Sequence, residues 1–464
     1  MKFENMSVKT FLEESNKGNV NYDDFYNQFF KKLKEADKKY NLLITTNENK
    51  PKIQSGKLKG LPLSIKDCIC TKDIQTTSGS KILEGYTPPF DATAIKKLKH
   101  QGGIIIGKTA QDEFGHGTFS TNCAYKIPKN PLDETRTCGG SSGGAGGITA
   151  ALNMPHIAIA ESTGGSISAP AAFTGTVGIT PTYGRISRYG LIDYANSLDK
   201  IGAIGKTVED VAFALEIIAG HDPLDETSAN NTVPNYQKAL DKNIKGMKIG
   251  IPEEYFKETT DEKIKNIIWD NIKKLESLGA TYEKCTLKTT KYVIPAYYII
   301  AMCETSTNLA KFCGMRYGAS EQTNATDFNE YFSKIRGTYL GEETKRRIIL
   351  GTYARMAGYR DQYYLKAMKV RTMIINDYKK SFKKFDCLVS PTMPFIAPKF
   401  KDIEKLTPLE HYSADILTVG PNLAGIPMIS VPVKNLNKMP VGMHILADHM
   451  QEEKIITLAN SIKS

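Results

Sequence analysis

The sequence predicts an α/β layer fold with a largely buried sheet, arranged as one large domain. Three observations lead there. Short β-branched apolar runs such as Ile104-Ile105-Ile106 alternate along the chain with stretches of helical period. No internal repeat, low-complexity tract or Pro/Ser-rich linker divides the 464 residues. A chain of that length can also bury a substantial core.

Residues 1–50 read as helices, with Val8, Phe11 and Leu12 on one face and Phe25, Phe29 and Leu33 on another. Leu61 to Cys70 reads as a strand region broken by Lys66 and Asp67. Asp91 is placed as the cap of a short helix ending at Gly102-Gly103, and the Ile104 strand follows directly. A second buried strand, His156 to Ala160, runs into Thr163-Gly164-Gly165. Thr207 and Asp210 form a capping-box pair ahead of Val208, Val211, Leu215 and Ile218. Gly220 closes that helix. A strand at Met247 to Ile251 precedes a helix with Ile264, Ile267, Ile268 and Ile272 on one stripe. Gly279 ends it, and a further strand-like stretch begins. Lys288 to Phe385 is mainly helical, and Ile426 to Leu446 is rich in β-structure.

Composition excludes several classes. The most apolar run, Val293 to Met302, is ten residues and contains Pro295, too short for a membrane span. Acidic residues stand where an export leader would carry its apolar core, so a cytoplasmic location is expected. Eight cysteines without framework spacing or a C-x-x-C pair read as reduced thiols, with Cys68 and Cys70 as core packing. Seven histidines include no H-x-x-x-H, and no metal site is expected. The net charge of +11 suits work near polyanions. The lysine runs, Lys31 to Lys34 and Lys379 to Lys384, lie on helical patterns and read as solvated faces.

The strongest anomaly lies between Gly139 and Gly147, where six of nine residues are glycine. Such density implies backbone conformations that a side chain would forbid. A phosphate cradle would need a terminal Gly-Lys-Ser/Thr, which is absent. A flexible linker would not lead straight into apolar Ile148 to Leu152. A catalytic loop remains. Gly140-Ser141-Ser142-Gly143-Gly144 satisfies G-x-S-x-G, but that nucleophile elbow must follow a strand. Asn130 to Arg136, which precedes it, contains no apolar strand.

A second glycine-serine turn does follow a strand. Ile157 to Ala160 leads into Thr163-Gly164-Gly165-Ser166 and then helix-compatible Ala169 to Phe173. A serine there stands beside free N–H groups at a helix start, which can hold an oxyanion. Ser166 is therefore the better nucleophile, although an N-cap serine would look the same on this segment alone. A serine needs a base. Lys66 is the one lysine in the otherwise apolar Leu63-Ser64-Ile65 stretch, and a lysine withdrawn from water can act as one.

Together, Lys66, the Gly139 to Gly144 loop and Thr163-Gly164-Gly165-Ser166-Ile167 resemble the amidase signature family, with its Ser–cis-Ser–Lys triad. The segments from Pro181 to Leu191, Lys345 to Ile348, Lys369 to Thr372 and Asn422 to Pro427 are similar to one branch of it. That branch works in glutamine-dependent tRNA amidotransferases, and the resemblance runs from about residue 8 to the C-terminus. It implies a mixed β-sheet covered by helices on both faces, residues 1–55 being a helical segment packed on a core of 56–464. It also implies Lys66, Ser141 and Ser166 as the relay, with a cis bond between Gly140 and Ser141. The gap from Ser141 to Ser166 is one residue longer than the family spacing, which leaves Ser142 as an alternative bridge. The family's aspartate, arginine, lysine and methionine are here Ser162, Ser168, Thr180 and His116.

The resemblance further implies an oxyanion site at the backbone of Thr163, Gly164 and Gly165. Glutamine would be held by Arg347 at its α-carboxylate and Asp415 at its α-ammonium, with Tyr297 in the pocket wall. Adjacent helical residues point about 100° apart, so only one of Arg346 and Arg347 should face a pocket. Asp415 could instead cap a helix. Ammonia would pass to a B subunit carrying ATP and magnesium and acting on glutamyl- or aspartyl-tRNA, with a small C subunit wrapped around this chain. No cofactor is expected in the chain itself. The alternatives are a free-standing amidase and an inert scaffold subunit.

Overall fold

The computed structural model describes residues 2–49, 52–257, 261–321 and 324–462. Its strands are β1 (Leu43–Thr46), β2 (Pro62–Lys66), β3 (Ile104–Thr109), β4 (Lys129–Asn130), β5 (Asp133–Thr137), β6 (Ile157–Ser162) and β7 (Val177–Thr180). They continue with β8 (Lys200–Gly205), β9 (Lys248–Pro252), β10 (Thr281–Cys285), β11 (Cys387–Pro391), β12 (Met428–Leu436) and β13 (Met439–Leu446). Eleven of them form one sheet in the order β1-β3-β2-β6-β8-β7-β12-β13-β11-β9-β10. The sheet is mixed: β2 runs parallel to β3 and β6, while β8 is antiparallel to both β6 and β7.

Helices cover both faces because the strands are apolar on both sides. Along β11 to β13, alternate residues point to opposite faces. Val389, Ile429 and Ile445 join one buried cluster. Leu388, Met428 and Leu446 join another, with Val293, Ile300 and Ile374 of the helices Val293–Asn308 and Lys366–Phe382. The N-terminal helices Val8–Asn16 and Tyr22–Tyr40 pack on the first cluster through Phe11, Phe25 and Phe29, all fully buried. The lysines of Lys31 to Lys34 remain exposed.

Several expectations need correction. The first fifty residues are not wholly helical, since Leu43–Thr46 forms an edge strand antiparallel to β3. Its four residues have no signal beyond their tertiary partner. The strand region does break where read: β2 stops on Lys66 and a turn follows at Asp67. Asp91 caps nothing: the helix Thr93–His100 has Ala92 at its N-cap, and the Asp91 carboxylate accepts from Lys72 N and Lys99 Nζ. A polar strand does precede the glycine loop, but β5 pairs with β4 and, by one isolated bridge at Arg136, with Lys399, and lies outside the main sheet. The Thr207–Asp210 capping box is present as read.

Candidate active site

Lys66 ends a fully buried strand flanked by β3 and β6, which fixes its backbone and removes its side chain from water. Its ammonium donates to Ser141 Oγ at 2.7 Å, to the Glu161 carbonyl at 2.9 Å and to Glu161 Oε2 at 2.9 Å. Ser141 reaches it from the glycine loop across a cis Gly140–Ser141 bond. That loop is pinned from outside: Gly140 N donates to the Thr118 carbonyl at 2.7 Å, and Ser120 Oγ donates to the Gly139 carbonyl at 2.8 Å. Buried Asp112 staples the same segment by accepting from Ser120 N and Asn122 N, both at 2.9 Å. Burial raises its carboxyl to about 6. Ser142 donates instead to the Glu161 carbonyl at 3.1 Å, so Ser141 is the serine on the lysine.

Ser166 stands in the turn between β6 and the helix Ser168–Thr174 and is 6% exposed. Among the described residues its hydroxyl makes no hydrogen bond, so the link from Ser141 to Ser166 is not closed in this structure. Relay bonds of this kind commonly tighten only when substrate is bound. The N–H groups of Thr163, Gly164, Gly165 and Ser166 likewise donate to no acceptor among the described residues. Their carbonyl side is held instead: Ser162 Oγ donates to the Gly164 carbonyl at 2.9 Å, and the Asn422 amide donates to the same oxygen. A side chain at Gly164 would have its Cβ 2.8 Å from the Tyr297 hydroxyl, which explains the glycine there. The turn thus offers free N–H donors beside a serine, as an oxyanion site requires.

The departures from the family pattern find local partners. Ser162 anchors the turn as described, and Ser168 Oγ lies 3.2 Å from His444 Nε2. His116 is buried and neutral, held well below the usual imidazole range by burial. Its nitrogens meet Thr344 and Thr305 hydroxyls at 3.0 and 3.1 Å, and its ring stands edge-on to Tyr194.

Arg347 and Asp415 border a second region. Arg347, in the helix Glu342–Arg355, is 3% exposed, whereas the Arg346 side chain is 41% exposed, so only Arg347 is buried. Its guanidinium donates to Glu343 Oε1 at 2.8 Å and to the Tyr194 hydroxyl at 2.6 Å. It also lies over the rings of Tyr194, Tyr298 and Tyr412 at 5.3 to 5.6 Å. The Asp415 carboxylate accepts from Thr118 Oγ1 at 2.9 Å and the Tyr298 hydroxyl at 2.8 Å; it caps no helix. Both arginines, however, line one cavity of about 330 Å³ with Thr118, Asn122, Glu343 and Tyr412, so the expectation that only one would face a pocket is corrected; Asp415 lies behind Thr118, outside that lining. Tyr297 is buried beside Gly164, with its ring edge-on to Tyr298.

Sequence reasoning missed Glu161, Thr118, Tyr194 and Tyr298. Glu161 alone carried a signal: like Lys66, it is the lone charge near the end of an apolar strand. The others are ordinary polar residues that only the fold brings together.

An amidase family pattern matches residues 7–456. The chain belongs to the amidase family. The A subunit of the glutamyl-tRNA(Gln) amidotransferase from Methanococcoides burtonii is 47% identical over 410 residues, 88% of this chain and 85% of its own. Its counterpart from Sulfurihydrogenibium sp. is 45% identical over 460 residues, 98% of this chain and 93% of its own. The crystal structure of the glutamyl-tRNA(Gln) amidotransferase A subunit from Thermotoga maritima superposes with a TM-score of 0.85 at 35% identity, covering 99% of this chain and 94% of that one. As an amidase, the chain has an α/β domain whose mixed sheet carries helices on both faces.

Proposed function

We propose that this amidase is the glutamine-hydrolysing component of a tRNA-dependent amidotransferase. The observation that carries this reading is the pairing of a buried Lys66–Ser141 hydrogen bond with a buried Arg347 and a buried Asp415. A simple amide needs only the first. Free glutamine also presents an α-carboxylate and an α-ammonium, which match the second and third.

In this reading Lys66 draws a proton through Ser141 as Ser166 attacks the side-chain carboxamide. The N–H groups of Thr163 to Ser166 hold the oxyanion, and Tyr297 backs the turn. Ammonia departs, and water then hydrolyses the glutamyl ester through the same Lys66–Ser141 relay. The ammonia passes to a partner B subunit, which uses ATP and magnesium to activate and amidate glutamate on tRNA(Gln) or aspartate on tRNA(Asn). A small C subunit completes the complex, and tRNA meets this chain mainly through its partners. No helix among the described residues is long and apolar enough to cross a membrane, and the reading places the complex in the cytoplasm.

Ser166→Ala in the assembled complex tests this. Ammonia release from glutamine is lost, while amidation of tRNA from added ammonium salts persists, because the two half-reactions lie on different subunits. Substantial glutaminase activity in that variant overturns the reading.

A further inference from the structure

The Lys66 ammonium faces a carboxylate as well as a serine, which sets a problem for its use as a base. While charged, it donates to Ser141 Oγ and cannot accept the Ser141 proton. It is fully buried, so solvent cannot readily take its proton away. The nearest acceptor is Glu161 Oε2, 2.9 Å from Nζ and itself buried. The other oxygen of that carboxylate, Oε1, lies 2.8 Å from Thr163 Oγ1, and Thr163 Oγ1 lies 2.7 Å from Asp199 Oδ1. A hydroxyl has one hydrogen to give, and an ionised carboxylate only accepts. Thr163 can donate to only one of its two neighbours, and the Asp199 oxygens also accept from Tyr194 N at 2.9 Å and Ala195 N at 3.0 and 3.1 Å. Burial and the charge on Glu161 both hold the Asp199 carboxyl well above the usual carboxylate range, which favours its neutral form.

We propose that Glu161 is a positioning residue for Lys66 that holds the relay's spare proton, taking it from the ammonium so that the amine can accept from Ser141. The step balances without an outside proton. One N–H bond of Lys66 breaks as an O–H bond forms on Glu161. The amine then takes the Ser141 proton while Ser141 takes that of Ser166, whose oxygen bonds to the substrate carbonyl. The departing amine receives its proton back along the same path. Thr163, donating to Glu161, keeps the carboxylate turned toward Nζ, and neutral Asp199 fixes Thr163.

The titratable and charged groups around this cluster come from several elements. Lys66 comes from β2, Cys68 from the loop after it, and Asp112 from the loop after β3. Asp199 leads into β8, and Tyr194 stands before it, its hydroxyl on Arg347.

The inference rests on the proposed reading for its substrate but not for its test. The probe is a fluorophosphonate, which reports Ser166 activation without glutamine recognition, followed by intact mass in the full-length chain as pH is varied. Glu161→Gln labels at least tenfold more slowly at neutral pH, and the deficit shrinks as pH rises, because hydroxide replaces the missing acceptor. Glu161→Asp, which keeps the acid, retains the flatter profile of the parent chain. A Glu161→Gln loss equal at every pH, or no loss, overturns the proposal, as does a Glu161→Asp profile resembling that of Glu161→Gln. If Glu161→Gln does not fold by thermal unfolding, Thr163→Val is read instead, and it must tilt the profile the same way. Should glutamine not be the substrate, the parent chain leaves glutamine intact while labelling and its dependence on Glu161 persist.

Discussion

The Thr118 hydroxyl donates to Asp415 at 2.9 Å while the Thr118 carbonyl accepts from Gly140 N at 2.7 Å, so one residue braces both the Asp415 carboxylate and the loop of Ser141. Thr118→Val keeps the backbone bond and removes the side-chain one. A hydrogen bond to a charged group contributes about 1.5–3 kcal/mol, and tenfold corresponds to about 1.4 kcal/mol. The variant should raise KM for glutamine about tenfold with kcat changed little. Steady-state kinetics of ammonia release checks this, and a fall confined to kcat would place the role of Thr118 in the loop instead.

Recognition of glutamine should depend on pH through Asp415. Burial raises its carboxyl to about 6. Above that value a carboxylate attracts the α-ammonium, and below it the neutral acid does not. KM for glutamine should therefore climb as pH falls through about 6, and Asp415→Asn should flatten that limb. The stability sign is opposite: the native state holds this proton to higher pH than the unfolded chain, so its contribution is lost as pH rises through about 6. Arg347→Ala should weaken glutamine use at least tenfold while sparing a simple neutral amide. Equal losses on both substrates would show that these residues serve the fold.

The relay residues should fail as a unit. Lys66→Ala, Ser141→Ala and the double variant should show nearly the same residual rate, since each alone breaks the path. Ser142→Ala, which loses only the 3.1 Å bond to the Glu161 carbonyl, should retain most activity. Full additivity in the double variant would separate the two roles.

The N-terminal helices should be integral to stability. Phe25 is fully buried and packs against the rings of Phe3, Phe11, Tyr26 and Phe29 at centroid distances of 4.6 to 5.9 Å. Phe25→Ala should lower stability by about 3–5 kcal/mol. Denaturant unfolding checks it, and a loss below about 1 kcal/mol would mean that this segment folds apart from the sheet.

What the sequence disclosed depended on whether the signal was local. The Ser166 turn was legible because strand, glycines and helix follow one another directly, and Lys66 because it is a charge in an apolar strand. The choice between Ser141 and Ser142 was not, since adjacent serines differ only in where the backbone aims them. Thr118, Tyr194 and Tyr298 have no pattern of their own; they matter because sheet and helices deliver them to Asp415 and Arg347. Edge strand β1 escaped for the same reason, being defined by its partner β3 rather than by its four residues.

The residues of the proposed relay and most of their supports come from residues 66 to 199, whereas Tyr297, Tyr298, Arg347, Tyr412, Asp415 and the Asn422 that holds the Gly164 carbonyl come from the later helices and the turns between them. In the proposed reading, chemistry and recognition therefore draw on separate stretches of chain, joined through Thr118 and Tyr194 and through the contacts of Asn422 and Tyr297 at Gly164. On the proposed reading, a change among those later residues would alter which amide is accepted, whereas a change at Asn422 would also reach the turn that carries Ser166.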